Sequence, residues 1–588
     1  MAKKYKKMKL TNKVLTIIIL VLCLSGCSSF FDEELQYTHE EEVLDSGRKS
    51  RALIDDIYRD YSFRYFTDFG IEYLTDNSVL NSSETNLATG YWGPTSNPLS
   101  YVWQQSYNNI RVVYQYIDLV HNTGLPYLPS EGSADLSDAI VQRYYGEAHF
   151  LKAWAEWELL KVFGGPDESG NMLGFPIVDG ILENDAYATL SRNTFDECVD
   201  QIMADLDVAI DNLPLIYTGT EDTDAGTNLG TAAAETGRAS GLAAYALKAK
   251  LALFAASPAF NPTNDLTKWE LAANLAHEVI ELNGGLRSLQ AYDFDRENNP
   301  DHIWRMRNSR NDNSLENRLY PPTLYGQGEV NPSQNLIDAF PDANGYPINN
   351  ASSSYDANEP YTSRDARFYK FFFYNGDQCF TSATCNNYDP IETFQGGLDN
   401  FGGFIPNEGT RTGYYLKKFL NNLNFNPSEE NRVTTLPKVY VQLGLTDIYL
   451  SYAEALNEVS GPDATPPTGF NFSAKDVLAR VRQRASLFSD PYLDEASMNQ
   501  SDFRNLVKNE RRIELCFTGE RFHDLRRWKD ITNIENLNGV KITKNPDDSF
   551  SYNNIEVERR NYETKNYYLP LPYDELQLNK NLKQNQGW

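Results

Sequence analysis

Two aromatic rings sit in a stretch that cannot form a regular element. Within Asn86-Leu87-Ala88-Thr89-Gly90-Tyr91-Trp92-Gly93-Pro94-Thr95-Ser96-Asn97, glycine and proline bracket Tyr91 and Trp92. This predicts a surface loop that holds both rings. A flat aromatic face suits the apolar side of a sugar ring, while amides, carboxylates and guanidinium groups suit its hydroxyls. Tyr91, Trp92 and Asn97 are therefore the leading candidates for carbohydrate contact, with Asn81, Arg310, Asn311 and Asp312 as further polar partners. An exposed indole is expensive unless it is used, which favours a ligand role for Trp92 over loop packing.

Other chemistries are poorly supplied. The six histidines are scattered, and there is no HExxH pair, Walker loop or Gly-x-Ser-x-Gly elbow. Among 81 acidic residues some must fall at glycosidase spacing, yet no pair stands out. Asp293, Asp295 and Glu297 lack the glycine and spacing of an EF-hand calcium loop, so no metal is expected. Trp103, Tyr107, Ile110 and Tyr114 recur at helical spacing and read as core.

The densest charge lies late in the chain. From Asn509 to Trp528, ten ionisable side chains alternate with Ile513, Leu515, Phe517, Phe522, Leu525 and Trp528. A solvated charge run does not carry so many apolar residues. A helix that sinks an ion network beside a hydrophobic stripe does. Glu510, Arg511, Arg512, Glu514, Glu520, Arg521, Asp524 and Arg526 are accordingly assigned to packing rather than to a ligand.

The first residues read as a sorting address. Six lysines up to Lys13 precede an apolar run from Val14 to Leu24, and Leu24-Ser25-Gly26-Cys27 forms a lipobox. The run is too short to cross a bilayer, which takes about 20 residues. Cleavage would leave Cys27 as a lipidated N-terminus. Asp32-Glu33-Glu34 resembles the acidic export tag of surface lipoproteins in Bacteroidota. Removing the six lysines makes the formal charge of −28 more negative still. Such a balance argues against nucleic acid and favours a neutral glycan over sulfated or uronate-rich ones. Cys198 and Cys516 fall in helical patterns and read as buried thiols. Cys379 and Cys385 flank a short turn-like stretch where a disulfide can close in an oxidising compartment, and the spacing leaves the reduced pair equally open.

Helical periodicity with alanine at close-packing positions runs through Gln142 to Trp154, Ala239 to Ala256, Thr446 to Asn457 and Ala474 to Arg484. Such segments suit tetratricopeptide-like hairpins, although the full repeat consensus is absent. Between about 283 and 437, Gly, Asn, Pro and aromatics take over, with short β-prone runs such as Arg367 to Tyr374. Residues 1–26 thus read as a lipoprotein signal peptide, 27–44 as an acidic tether and 45–588 as one domain. Its helical scaffold covers about 45–282 and 438–588, and the loop-rich insertion offers a ligand face.

Blocks along this chain resemble the SusD/RagB family of surface lipoproteins. They include Arg143-Tyr144-Tyr145-Gly146-Glu147-Ala148, Gly237-Arg238-Ala239, Pro332-Ser333-Gln334 and Arg364-Asp365-Ala366-Arg367-Phe368. Further on come Thr412 to Phe419, Tyr452 to Asn457, the Asn509 to Trp528 segment and Tyr567-Tyr568-Leu569-Pro570-Leu571-Pro572. The resemblance implies a mainly α, SusD-like fold without cofactor or catalysis. It implies an outer-membrane lipoprotein facing the cell exterior, which passes oligo- or polysaccharide to a TonB-dependent SusC-like transporter. It places Trp154, Trp157, Trp304 and Trp528 in the core and adds Tyr292, Tyr320 and Tyr325 as secondary ligand candidates. A RagB-like peptide-binding lipoprotein and a glycoside hydrolase are the rival readings.

Overall fold

The computed structural model describes residues 52–59, 71–82, 86–118, 134–182, 186–217, 237–292, 299–306, 311–312, 314–378, 390–405, 408–420, 436–437, 439–464, 469–495, 498–534 and 536–588. Cys27, Asp293, Asp295, Glu297, Arg310, Cys379 and Cys385 lie outside them, as do the signal and tether segments.

The chain is mainly helical. The longer helices are α1 (Tyr101–Tyr116), α2 (Ala134–Phe163), α3 (Phe195–Asn212), α4 (Gly241–Ala256), α5 (Leu266–Leu282), α6 (Leu445–Ser460), α7 (Ala474–Arg484), α8 (Gln500–Glu514) and α9 (Glu520–Arg527). Each of α1 to α6 packs on the next in chain order, and α6 also receives α7 and α8. This is the hairpin array that the alanine spacing predicts. Starts are set locally. Thr194 and Glu197 form a capping box on α3, and Ser473 and Asp476 form another on α7. Helix α4 is buried almost all round because it touches α2, α3, α5 and α6, so it has no polar stripe. Gly241 is its first residue, behind the Ser240 cap, and not an interior helix breaker.

The β structure is small and scattered as two-stranded antiparallel pairs. His302–Met306 pairs with Tyr440–Gly444, which brings the two ends of the insertion together. Ser78–Leu80 pairs with Val330–Pro332, tying the N-terminal part to the insertion. Two expectations are corrected here. Most of the β-prone run from Arg367 is a short helix, Ala366–Phe371, started by the Asp365 cap, and only Phe372–Phe373 is strand. The longest strands, Asn536–Lys544 and Phe550–Arg559, form a ribbon inside the segment read as helical scaffold.

The charged block is likewise two helices rather than one. Phe517 and Gly519 take positive φ values of 61° and 83°, and this turn ends α8 and opens α9. Consecutive residues on α8 point about 100° apart, so Glu510, Arg511 and Arg512 reach three separate buried clusters. Arg511 bridges Asp447 at 2.8 Å and Asp524 at 3.0 Å, while Arg527 holds Glu454 and Lys250 joins Asp447 to Glu520. Glu510 meets Arg367 and Arg482, and Glu514 meets Arg367 and Arg484. Arg512 and Arg521 both hold Asp76. Helix α8 therefore fastens the helical array to the insertion and to the N-terminal strand. Trp103, Trp154, Trp157, Trp304 and Trp528 are buried, as are the free thiols of Cys198 and Cys516.

One buried carboxylate is held by neutral donors instead of an ion pair. Glu72 accepts from Asn77 Nδ2 at 2.9 Å and from the Gly519 amide at 3.3 Å. Burial outweighs these contacts and pushes its carboxyl up to about 7. Unfolded, the same group ionises near 4.5. The folded state therefore keeps a proton that the unfolded chain releases. The stability this contributes is present below about 4.5 and lost as pH rises through about 7. The loss amounts to about 3 kcal/mol. Glu72→Gln should flatten this part of the profile when chemical unfolding is compared at pH 5 and pH 8. Identical slopes for variant and wild type would remove Glu72 as the cause.

Candidate functional site

An open concavity of about 570 Å³ lies between the C-terminal ribbon and the insertion. That size falls within the range of small-ligand clefts. Asn81 follows the strand Ser78–Leu80. Gln395, Asn400 and Phe401 come from the loop before the Arg411 turn, and Lys541, Ile555 and Glu556 come from the ribbon. Short-range sequence explains the exposure. Gly396, Gly397, Gly402 and Gly403 break any helix around Phe401, and the strand Phe550–Arg559 is exposed at four consecutive residues, Asn553 to Glu556, so both of its faces are open there.

The floor is rigid. Arg411 donates to the carbonyls of Leu80 at 2.9 Å and Ser82 at 3.0 Å and pairs with Glu558 at 3.2 Å. Backbone bonds from Val540 to Thr412 and from Gln395 to Ile542, both 2.8 Å, lock the ribbon to the loop. Phe401 is 49% exposed on the rim. Asn81 Nδ2 donates to the Gln327 carbonyl at 2.7 Å, which ties the cleft to the Tyr325 turn. Tyr325 is 40% exposed and packs edge-on against Phe404 at 6.1 Å. Among the described lining residues Glu556 is the one carboxylate, and it is paired with Arg559. The cleft thus offers aromatic and aliphatic edges with amides, an ammonium and a carboxylate between them. Such a surface suits sugar rings and their hydroxyls.

A second cavity, of about 180 Å³, lies among Trp154, Trp157, Lys250, Asp447, Tyr292 and Glu520. Lys250, Asp447 and Glu520 are engaged with one another in the ion clusters already described, so they are not free for a ligand.

The sequence candidates divide sharply. Trp92 is only 7% exposed, which corrects its assignment as a surface platform. Its ring packs on Tyr562 at 5.1 Å and Phe522 at 5.7 Å, and Nε1 donates to the Leu87 carbonyl at 2.8 Å. Asn97 is buried too and is spent on the backbone. Nδ2 donates to the Pro570 carbonyl at 2.6 Å, and Oδ1 accepts from the Leu99 amide at 2.8 Å. Tyr320, at 2% exposure, is core. Tyr292 is half-buried, its hydroxyl on Glu514 and its ring under Arg484 at 4.2 Å. Asn81 lines the cleft; Tyr91, 64% exposed, and Tyr325 do not, although Tyr325 sits on the turn whose Gln327 carbonyl accepts from Asn81. Asn311 and Asp312 form a two-residue strand against Leu436–Pro437. Phe401, Asn400, Gln395, Lys541 and Ile555 escaped the sequence reading. The glycine-rich run around Phe401 was the available signal.

Fold and cleft together define a helical-hairpin array carrying a loop-and-ribbon face. The chain belongs to the SusD family: the model of that description matches residues 290–588, and a second, described as starch-binding associating with outer membrane, matches residues 30–253. SusD-like protein P25 of Formosa agariphila is 22% identical over 602 residues, covering 97% of each chain. A SusD-like protein from Bacteroides fragilis superposes with a TM-score of 0.70 at 24% identity, covering 92% of this chain and 97% of its own. A SusD-like carbohydrate binding protein from the same species gives 0.68 at 19% identity, covering 92% and 99%. No helix among the described residues is long and apolar enough to cross a membrane.

Proposed function

We propose that this chain is a cell-surface lipoprotein, anchored through Cys27, which captures oligo- or polysaccharide and hands it to a TonB-dependent SusC-like transporter. The observation that carries the reading is the open cleft with Phe401 on its rim and the exposed Tyr325 on the turn that Asn81 ties to it through the Gln327 carbonyl. An open cleft admits a chain from either end, as a polymer requires. Family membership and the name of the carbohydrate-binding relative support the ligand class. Binding without turnover is favoured because hydrolysis by paired carboxylates needs two such groups, and the described cleft presents Glu556 alone.

Phe401→Ala and Tyr325→Ala should each weaken binding of a neutral oligosaccharide about tenfold, or about 1.4 kcal/mol, with unchanged melting temperature. Titration calorimetry measures the affinity, and scanning calorimetry the melting temperature. Equal affinity in the double variant and wild type would move the ligand elsewhere. Release of reducing ends by the purified protein would overturn the non-catalytic reading.

A further inference from the structure

The outer face of α1 carries a feature that the cleft does not use. Gln104, Asn108 and Arg111 follow at four- and three-residue spacing and so share one side of the helix. All three are exposed, and none has a side-chain partner among the described residues. They border a pocket of about 220 Å³. Its lining includes the half-buried Tyr107 and Tyr187, Val178, Leu182 and the carboxylate of Glu575, over a Trp103 that is only 1% exposed. Trp103 and Tyr107 lie 5.4 Å apart, and Tyr107 and Tyr187 lie 6.5 Å apart.

The hydroxyls of those tyrosines are already taken. Tyr107 donates to the Pro176 carbonyl at 2.8 Å, and Tyr187 donates to Glu575 while accepting from Trp103 Nε1 at 3.3 Å. What remains for the pocket is tyrosine ring carbon, edged by unspent amides, one guanidinium and the Glu575 carboxylate that Tyr187 engages. We propose that this pocket is a second saccharide-binding site, sized for a single neutral sugar ring. An apolar plug from another protein would cover three polar groups without pairing them, which is costly. A sugar ring satisfies both parts, its apolar face on the aromatics and its hydroxyls on Gln104, Asn108 and Arg111. The pocket shares no residue with the ribbon cleft. Two sites on one chain would add avidity on a polymer that neither shows on a short oligosaccharide.

The ligand class rests on the glycan reading; the location does not. Gly180 supplies the test, because a Cβ built there meets nothing within 4 Å, so Gly180→Trp can block the mouth without backbone strain. Maltotriose, laminaritriose and cellotriose are titrated calorimetrically into wild type, Gly180→Trp, a Gln104→Ala/Asn108→Ala/Arg111→Ala variant that leaves the core alone, and Tyr325→Ala/Phe401→Ala. Two binding events are expected for wild type with at least one of these sugars. One event should be lost in each pocket variant, while the melting temperature stays the same. If Tyr325→Ala/Phe401→Ala keeps one event that Gly180→Trp then abolishes, the pocket stands whatever becomes of the cleft. A single event that both pocket variants leave untouched, or no event with any of the sugars, overturns the proposal.

Discussion

Arg367→Ala should cost about 3–5 kcal/mol of folding stability, the usual price of breaking a buried ion pair. The guanidinium is fully buried and touches three carboxylates. Nη2 meets Asp365 at 2.7 Å, and Nη1 reaches both Glu510 and Glu514, the latter at 2.7 Å. Truncation leaves Glu510 with Arg482, and Glu514 with Arg484 and Tyr292. Asp365 keeps the amide of residue 367, which it caps at 2.8 Å. Three desolvated acids would then share too few positive charges. Arg367→Lys should recover part of the loss, since an ammonium keeps the charge but cannot fork to all three. Urea unfolding should show a lower midpoint with an unchanged slope, and the remaining folded protein should bind sugar as wild type does. A loss below about 0.5 kcal/mol, the range of an ordinary surface substitution, would show that this cluster does not hold the insertion to α8.

That cluster also shows how far the sequence was legible. Alanine spacing located α4, α6 and α7 because close helix contact writes itself into local periodicity. The apolar density between Asn509 and Trp528 revealed that its charges were buried, since a solvated run needs no such residues. The break between α8 and α9 was less visible because Phe517 takes a positive φ that its side chain does not advertise. The ribbon at Asn536–Arg559 was missed because Asn and Gly weaken its strand signal and its pairing is what stabilises it. Site residues were hardest of all. A ring in a Gly/Pro loop can face water or a distant segment, and local sequence is the same in both cases. Tyr91 and Trp92 are adjacent, yet one is exposed and the other is not. What separates them is Tyr562, which arrives from the other end of the chain.

Trp92→Ala follows directly from that contact, and its expected effect is on folding rather than affinity. Removing a buried indole typically costs about 3–5 kcal/mol, through lost apolar burial and the cavity left behind. Here the cavity cannot collapse easily. Gly90, at φ 90°, already sits so close to Tyr562 that a Cβ would lie 2.9 Å from its ring, and the Asn561 amide is bonded to Thr89 at 2.9 Å. The loop is thus pinned to the chain beyond the ribbon, and the tryptophan fills the space beneath it. Trp92→Phe should retain most of the stability, because a smaller ring still reaches Tyr562 and Phe522 while the hydrogen bond to Leu87 is lost. Tyr91→Ala, one residue earlier, should leave the melting temperature unchanged, since its ring is exposed. If Trp92→Ala instead abolished sugar binding at wild-type stability, the indole would have to leave this contact to meet ligand, and its assignment to the core would fall.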